Sequence, residues 1–377
     1  MLWKAELNYR NVFRVQKTNI KVIKLKVERV KKMKKELYGI TKDGKEVHQY
    51  TVVNKNGMEM TVMDFGAILL KVIVPDKDGN KRDVVLTCEN METFEENGCY
   101  LGSTIAPSSN RIAKAEAPID GVVYKMDVND GENNLHTDFP NGMNKRIWNA
   151  EEVENGIRFT FKLEDMEYHL PGNRTLAVTY TLTDDNEIRL DYEGDSDKNT
   201  IINLTNHSYF NLDGHQAGTI LNHKLLLHAS HFTPVVAGAI PTGEIASVKG
   251  TPLDFTEWKV IGDEIEADFE QLKLTGGYDH NFVVDNCDGT VKEIAQAKSD
   301  ESGITMTVLS DLPGVQFYAG NYVNGEKGKE GVVYGKRSGF CLETQYYPDS
   351  VHHNNFPSII FGPERPFRST TIFKFGV

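Results

Sequence analysis

The stretch that best indicates the fold is Leu176-Ala177-Val178-Thr179-Tyr180-Thr181-Leu182, followed after Asp184-Asp185-Asn186 by Ile188-Arg189-Leu190-Asp191-Tyr192. In both runs large apolar side chains alternate with polar or small ones, which is the pattern of a strand with one face in a core and one in water. Asp and Asn are frequent in turns because their side chains bond the local backbone and tolerate positive φ. The two runs therefore predict an antiparallel hairpin.

Short apolar runs separated by turn residues continue from about Leu37 to the C-terminus. Asp43-Gly44 and Asn56-Gly57 are typical of tight hairpins, and Asn90 is placed to cap a short helical turn. From Leu37 onward we find no long amphipathic helix, domain linker or regular repeat. The sequence therefore predicts an all-β protein whose residues 33–377 form a single large antiparallel β-sandwich.

The first 35 residues differ sharply in charge from the rest. They contain twelve Lys and Arg against Glu6 and Glu28, whereas the whole chain of 377 residues has a net charge of −12. They have no continuous apolar segment and no small-residue cleavage site, so a secretory signal is not indicated. We interpret residues 1–32 as a basic N-terminal extension, either disordered and solvated or translated ahead of a true start at Met33.

Composition and charge exclude several classes of function. The net charge of −12 argues against nucleic acid as a partner, and a negative mean hydropathy without a long apolar run argues against a membrane span. The cysteines form no Cys-x-x-Cys pair, so neither a zinc site nor a disulfide framework is indicated; they are Cys88, Cys99, Cys287 and Cys341. Reduced thiols favour a cytoplasmic protein.

A second informative stretch, Asn203-Leu204-Thr205-Asn206-His207-Ser208-Tyr209-Phe210-Asn211-Leu212, follows the predicted hairpin. Its amides, histidine and aromatic rings are too dense for a plain core strand, because buried polar groups need hydrogen-bond partners. Such a mixture suits a sugar site, where aromatic faces meet the C–H side of the ring and polar groups bond its hydroxyls. A structural histidine within a sheet is the alternative.

Four further polar clusters are candidates: Asn110-Arg111, His136, Asp279-His280 and Glu343. Glu343 stands out because it follows Phe340-Cys341-Leu342. A carboxyl on such a run is expected to be partly buried, with a raised pKa suited to proton transfer. Each cluster has a structural alternative. Glu343 could pair with an arginine, Arg111 with a surface carboxylate, His136 could be solvated and Asp279 could cap a turn.

The pair His352-His353 resembles a metal-binding motif but lacks a carboxylate or cysteine at ligand spacing, so we interpret it as surface. The chain also has no Gly-rich phosphate loop and no Gly-x-Ser-x-Gly nucleophile elbow. The sequence therefore predicts neither a metal nor a nucleotide cofactor.

Together the clusters carry a resemblance to one family. The chain is similar to the aldose 1-epimerases (galactose mutarotases) in a series of motifs that fall in the family's order between Leu37 and the C-terminus. The motifs are Asn110-Arg111-Ile112, Asn134-Leu135-His136, Thr205-Asn206-His207-Ser208-Tyr209-Phe210-Asn211-Leu212, Ile240-Pro241-Thr242-Gly243, Asp279-His280-Asn281-Phe282 and Phe340-Cys341-Leu342-Glu343-Thr344-Gln345, continued by Pro348-Asp349-Ser350 and Asn355-Phe356-Pro357. Each motif alone is weak, whereas the ordered set is specific.

The resemblance implies a β-supersandwich fold and an enzyme that interconverts the α and β anomers of free aldoses such as D-galactose and D-glucose. It implies that Glu343 is the general base for the C1 hydroxyl proton and that His207 is the general acid for the ring oxygen. The residues implied to bind the sugar are Arg111, His136, Asp279, Asn110 and Asn206. It further implies a small sugar as substrate, no cofactor or metal, and a monomer or homodimer.

The chain departs from the family at Ala106-Pro107-Ser108-Ser109, where members commonly have a Gly-Arg pair. Both catalytic matches are kept, so the departure bears on sugar preference. Three different functions compete with mutarotation. A non-catalytic sugar-binding module would lack Glu343 or His207. An enzyme for hexose 6-phosphates would need an Arg or Lys phosphate clamp that the sequence does not identify. A glycosidase would need paired carboxylates, for which Asp279 and Glu343 are the candidates.

We predict that residues 1–32 are dispensable, because the cationic segment ends where the family-like sequence begins. A chain that begins at Met33 should fold with an unchanged melting temperature and keep its turnover of free aldose. Calorimetry and an activity assay on both chains would check this. A large loss of melting temperature or turnover would show that the extension stabilises the domain.

Overall fold

Strands are the main regular secondary structure of this computed structural model, which describes residues 33–377. The first strands are β1 (Lys34–Ile40), β2 (Glu46–Val53), β3 (Glu59–Met63), β4 (Ile68–Pro75), β5 (Lys81–Asp83), β6 (Val85–Leu86), β7 (Ser103–Ile105), β8 (Arg111–Ile112), β9 (Glu116–Ile119), β10 (Val122–Lys125) and β11 (Asn134–Leu135). The next are β12 (Asn149–Val153), β13 (Gly156–Leu163), β14 (Arg174–Leu182), β15 (Glu187–Ser196), β16 (Thr200–Ile201), β17 (Thr205–His207), β18 (Tyr209–Phe210), β19 (Lys224–Leu227), β20 (His231–Phe232), β21 (Ala246–Ser247) and β22 (Lys259–Val260). The last are β23 (Asp279–Val283), β24 (Lys292–Lys298), β25 (Thr305–Ser310), β26 (Gly314–Tyr318), β27 (Glu326–Lys327), β28 (Val333–Tyr334), β29 (Cys341–Gln345), β30 (Ile360–Phe361) and β31 (Phe367–Gly376).

Helices are few and short in this part of the chain. The α-helices are α1 (Met91–Glu96) and α2 (Glu270–Thr275), and the 3-10 helices are Ala113–Ala115, Met143–Lys145, Glu167–His169, Lys329–Gly331 and Ser350–His352. The predicted cap of α1 is confirmed, because the Asn90 side chain accepts a hydrogen bond from the backbone N–H of Thr93.

The strands form three larger sheets and six two-stranded ladders. The first sheet has the order β1-β2-β3-β4-β5, the second β12-β13-β14-β15-β31-β25-β24-β19-β22, and the third β21-β20-β23-β26-β29. The pairings within them are antiparallel. One hydrophobic core takes side chains from all three, for example Val62, Tyr180 and Phe317. The predicted all-β, antiparallel sandwich is confirmed.

The central hairpin lies where the sequence predicts it. Strands β14 and β15 pair with Val178 opposite Tyr192 and Tyr180 opposite Leu190. These four side chains are buried, whereas their polar neighbours along each strand are mostly half-exposed. The period of two therefore fixes the register, since a slip of one residue would turn the whole apolar set toward water.

Strands β23, β26 and β29 lie side by side in the third sheet and carry polar residues into the interior. Asp279 pairs with Tyr318, and Gln316 pairs with both Asn281 and Glu343. All five side chains are buried. Buried polar groups in a sheet must bond one another or a ligand, so this face of the sheet is where a site is expected.

Three further predictions from the sequence concern membrane-spanning helices, disulfide bonds and the basic N-terminal extension. Within residues 33–377 no helix has the length and apolar character needed to cross a membrane. The four cysteines are unpaired, as predicted. The basic extension, residues 1–32, lies outside the described residues, so its boundary at Met33 stays a prediction.

A buried ion pair ties the segment after β27 to the first sheet. The ammonium of Lys329 lies 2.7 Å from the Asp83 carboxylate and donates to the carbonyl of Leu70 at 3.1 Å. Burial lowers the pKa of Lys329, and the Asp83 charge partly offsets this. The backbone N–H of Lys329 also donates to the carbonyl of Thr87. The segment is therefore held by a charge pair with little access to water.

We predict that Asp83→Leu lowers the free energy of unfolding by about 3–5 kcal/mol, because it leaves the Lys329 charge buried and unpaired. The double variant Asp83→Leu/Lys329→Met should be much less destabilised, since no charge then remains. Urea unfolding would measure both. The exposed pair of Lys374 and Glu187 is the control, and Lys374→Met should change stability by less than about 1 kcal/mol. Equal destabilisation of the single and double Asp83 variants would contradict the prediction.

Candidate active site

One cleft gathers most of the predicted site residues. It opens to solvent and is lined by Gly98, Cys99, Tyr100, Asn110, Arg111, Leu135, His136, His207, Tyr209, Asp279, Tyr318, Tyr322 and Glu343. Six of the seven predicted residues are in this set, although they come from five separate segments of the chain. A cleft lined by polar groups and aromatic rings suits a small polar ligand.

His207 and Glu343 form the centre of the cleft. His207 is the last residue of β17, and Glu343 is the middle residue of β29. The His207 Nε2 atom lies 3.7 Å from a carboxyl oxygen of Glu343, and both side chains are less than one-tenth exposed. The other carboxyl oxygen of Glu343 is buried without a hydrogen-bond partner. An acid and a base thus face the same space with bonding capacity left for a ligand.

Burial shifts the two groups in opposite directions. It lowers the pKa of His207 to about 4 and raises the pKa of Glu343 well above its usual value, with a further increase from the Asp279 carboxylate. Both shifts favour the uncharged forms, a neutral imidazole and a protonated carboxyl. The neutral pair differs from the ion pair only by one proton moved between the two groups, so either form holds one transferable proton.

His136 is fixed by the neighbouring Asn110 segment. The backbone N–H of Asn110 donates to His136 Nδ1 at 3.1 Å, and the backbone N–H of His136 donates to the Asn110 carbonyl. Both residues have left-handed backbones, with φ of 56° and 55°. Burial, followed by the neighbouring His207 and Arg111, holds the pKa of His136 well below its usual value. A neutral imidazole that accepts at Nδ1 carries its proton on Nε2, so His136 is a fixed donor.

Arg111 and Asp279 are two further ionisable residues at the cleft, and each influences the pKa of the other. The Arg111 Nε–H donates to Asp130 at 2.8 Å, and the carboxylates of Asp279 and Asp130 raise the Arg111 pKa although burial opposes the charge. Asp279 accepts a hydrogen bond from the Gln316 amide at 2.7 Å. Burial raises the Asp279 pKa, and Arg111 and Gln316 partly offset this. Each group therefore keeps further hydrogen-bonding positions for a ligand.

Aromatic rings complete the walls. The His207 ring stacks on Tyr209 and Tyr100, with centroids 5.1 and 6.0 Å away. Tyr318 lies edge-on to His207, and its hydroxyl accepts the backbone N–H of Tyr322, a residue that is 59% exposed at the mouth. These flat faces suit the C–H side of a sugar ring.

Sequence reasoning missed several of these residues. Asp130, Gln316, Tyr100, Tyr318 and Tyr322 were not among the candidates. Tyr318 and Gln316 lie beside Asp279 and Glu343 because β26 pairs with β23 and β29, a pairing that no sequence motif indicates. No local pattern marks the others.

Asn206 does not line the cleft. It precedes His207 in β17, so its side chain points to the opposite face of the strand. Its amide donates to the Tyr180 hydroxyl at 3.1 Å and to the Gly102 carbonyl at 3.3 Å. The geometry therefore favours a role in holding β17 in place rather than the predicted contact with sugar.

The segment that departs from the family pattern lies beside the cleft. None of Ala106-Pro107-Ser108-Ser109 is among the residues that line it, and all four are buried. The backbone of Ser108 exchanges two hydrogen bonds with the Thr137 hydroxyl, each at 3.0 Å. Because Thr137 follows His136 and Ser109 precedes Asn110, the departure can affect the cleft through these two neighbours.

Two groups of residues could be mistaken for metal sites. His352 and His353 both face the Asp349 carboxylate, at 2.6 and 3.5 Å, so the prediction that no carboxylate stands at ligand spacing is wrong. Both imidazoles are partly buried rather than fully on the surface, and they lie outside the cleft. In the cleft, one ligand atom each from His136, His207 and Glu343 lie within 4.8 Å of one another. His136 fits poorly as a ligand there, since its Nδ1 already accepts a backbone N–H and its Nε2 carries the proton.

Comparison with known proteins agrees with this geometry. A profile of the aldose 1-epimerase family matches residues 48–374. The chain is 37% identical to the galactose mutarotase of Bos taurus over 321 residues, which cover 85% of this chain and 92% of the relative. It is 34% identical to the aldose 1-epimerase of Escherichia coli K12 over 346 residues, which cover 91% of this chain and 99% of the relative.

Solved structures give the same result. A galactose 1-epimerase from Lactobacillus acidophilus superposes with a TM-score of 0.79 at 28% identity, covering 92% of this chain and 99% of that one. An aldose epimerase homologue from C. elegans superposes with a TM-score of 0.78 at 28% identity, covering 86% and 98%. With a family profile over most of its length and relatives above 30% identity, the chain belongs to the aldose 1-epimerase family.

Proposed function

We propose that this protein is an aldose 1-epimerase that interconverts the α and β anomers of a free aldose such as D-galactose. The observation that carries the proposal is the buried pair of His207 and Glu343, 3.7 Å apart in a cleft lined by polar groups and aromatic rings. Mutarotation needs a base at the C1 hydroxyl and an acid at the ring oxygen of the same molecule. One pair of proton carriers around one ring supplies both.

The proton transfers balance within the pair. The Glu343 carboxylate takes the C1 hydroxyl proton as the His207 imidazolium gives its Nε2 proton to the ring oxygen. The bond between C1 and the ring oxygen breaks, and C1 becomes an aldehyde. After rotation about the C1–C2 bond the ring oxygen attacks the other face, and both protons return. Burial favours the uncharged Glu343 and His207 of the open-chain stage, so it makes the carboxylate a stronger base and the imidazolium a stronger acid.

The remaining polar groups would position the sugar. His136 offers a fixed Nε2–H donor, the Arg111 guanidinium offers donors beyond the one used by Asp130, and Asp279 offers an acceptor. Asn110 would act through its backbone, which holds His136. Such positioning lowers the barrier because the reacting atoms are already aligned.

The acidity of the cleft argues against phosphorylated sugars. Among the described residues that line the cleft, Arg111 is the only Lys or Arg, and its guanidinium already forms an ion pair with Asp130. Asp279 and Glu343 add carboxyl groups. A hexose 6-phosphate or a uronate would therefore meet a single guanidinium whose charge is already shared with Asp130.

A glycosidase and a sugar-binding module both fit the site less well. A glycosidase would use Asp279 and Glu343 as its pair, but Asp279 accepts a hydrogen bond from Gln316 and lies near the Arg111 charge, which suits it to holding a sugar hydroxyl rather than to proton transfer. A binding module has no need of a desolvated acid and base. We further propose that the protein acts in the cytoplasm as a monomer or homodimer and binds no nucleic acid, in line with its charge of −12 and unpaired cysteines.

We predict that Glu343→Gln and His207→Asn each lower kcat by about 10²–10⁴-fold with a smaller change in KM, because each removes one proton carrier from the transition state. Polarimetry of freshly dissolved α-D-galactose and α-D-glucose would measure this. The double variant should lose much less than the product of the two effects. Wild-type rates in Glu343→Gln would refute the base assignment, and an inactive wild type on every free aldose tested would favour the binding module.

The pH profile of kcat/KM should be bell-shaped. We assign the loss of activity at low pH to protonation of His207 and the loss at high pH to deprotonation of Glu343, which is the reverse of what the ordinary pKa values of the two side chains would give. As pH falls toward the His207 pKa of about 4, His207 is protonated while Glu343 keeps its proton. The pair then holds two protons, and neither group can act as the base. As pH rises, Glu343, whose pKa is raised by burial, loses the shared proton, and no acid remains. The two limbs belong to the coupled pair. An acid limb near the ordinary histidine pKa would contradict this assignment.

Metal should not be required, since His136 presents an N–H to the position that a metal would occupy. Dialysis against EDTA should leave the mutarotation rate unchanged, with dialysis against buffer alone as the control. Loss of activity that a divalent ion restores would overturn the acid/base account.

A further inference from the structure

Both ring nitrogens of His207 face the same strand. Nε2 lies 3.7 Å from the Glu343 carboxyl, and Nδ1 lies 3.5 Å from the Cys341 sulfur. Cys341 and Glu343 are two residues apart in β29, so their side chains point to the same face. The Cys341 side chain is fully buried, and it does not line the cleft. One strand thus holds the imidazole from both sides.

We propose that Cys341 is a positioning residue for the proposed proton transfer: its sulfur accepts the Nδ1–H of His207 and leaves Nε2 as the nitrogen that gives and regains the proton. This inference rests on the role of His207 in the proposed function. Cys341 touches neither substrate nor reacting atoms and acts through the imidazole.

The transfer cycle requires this tautomer. When the imidazolium gives up its Nε2 proton, the neutral ring keeps the proton on Nδ1, and Nε2 has a free electron pair to take the proton back. The partner of one nitrogen decides which nitrogen is protonated. His136, 5.4 Å away between ring centroids, has the opposite arrangement because a backbone N–H occupies its Nδ1. The two histidines are therefore held in complementary states, one a fixed donor and one an exchanger.

A thiol suits this position better than a carboxylate. Burial raises the Cys341 pKa well above its usual value, and the Glu343 and Asp279 charges raise it further, so the group stays neutral. A carboxylate on Nδ1 would stabilise the imidazolium and weaken it as an acid. The titratable groups around the His207 ring are Tyr100, His136, Tyr209, Tyr318, Cys341 and Glu343. Of these only Glu343 shares a transferable proton with the imidazole, and it faces Nε2.

The wild-type protein supplies the first test. Two-bond ¹H–¹⁵N spectra of the protein labelled at its histidine nitrogens report the tautomer of each neutral ring, and the signals lost in His207→Asn assign His207. We expect His207 to be protonated at Nδ1 and His136 at Nε2. A neutral His207 protonated at Nε2 would overturn the proposal whatever the activity of any variant.

Variants supply the second test. Cys341→Ala should mix the His207 tautomers and lower kcat about threefold to tenfold, the size of one neutral hydrogen bond, with KM within about twofold. Cys341→Ser keeps an acceptor and should restore both the tautomer and the rate. If Cys341→Ala does not fold, Cys341→Val of similar size takes its place. The matched control is Cys88→Ser, a buried thiol outside the cleft, whose kinetics and His207 tautomer should not change.

The outcomes separate this inference from the proposed function. An unchanged tautomer and rate in Cys341→Ala would overturn the positioning role. Equal loss in Cys341→Ala, Cys341→Ser and Cys88→Ser would show a packing effect and overturn it as well. A wild-type protein that is inactive on every free aldose tested would instead refute the proposed function, and the tautomer of His207 would still be known from the spectra.

Discussion

The structure depends on keeping two ionisable groups, the Glu343 carboxyl and the His207 imidazole, almost entirely out of water. Removing a charge from water costs several kcal/mol even after the protein relaxes, so burial opposes the carboxylate and the imidazolium alike. The pair at 3.7 Å meets this cost by sharing one proton. The same cost makes the charged forms reactive, because each gains stability by exchanging a proton with a ligand. In the proposed function, burial is therefore the source of the chemistry, and it also lowers stability.

The sheet around the pair explains how the burial is tolerated. Three antiparallel strands place Asp279, Gln316 and Glu343 side by side, and the Gln316 amide bridges Asp279 to Gln345 deeper in the sheet. Amides offer both donors and acceptors, so they satisfy a carboxylate without adding charge. Antiparallel pairing is what brings these residues into contact, and it fixes their spacing to that of neighbouring strands. The ladder gives the site a rigid floor on which loops add Arg111 and His136.

Sequence reasoning and structure agree where the signal is local. Alternation along residues 176–192 predicts the hairpin, and the Asp-Gly and Asn-Gly pairs predict the turns of the first sheet, with Gly44 and Gly57 at φ of 81° and 82°. Sequence and structure differ where a contact depends on which face of a strand a single side chain occupies. Asn206 and His207 are adjacent in one motif, yet one bonds Tyr180 in the core and the other opens to the cleft. The motif contains both residues, but successive side chains of a strand point to opposite faces, so only His207 faces the cleft.

By itself the sequence predicted the fold class and the antiparallel arrangement, because these follow from strand periodicity and turn chemistry. Its short ordered motifs indicated the family and, through that resemblance, the two residues proposed as proton carriers. Only the tertiary structure decided which side chains meet. Asp130 on Arg111, the backbone N–H on His136 and the Cys341 sulfur on His207 are contacts between segments far apart in the chain. The protonation state of each group depends on these contacts and on burial. Neither these contacts nor the burial can be predicted from the local sequence pattern. The protonation states of the site therefore follow only from the tertiary structure.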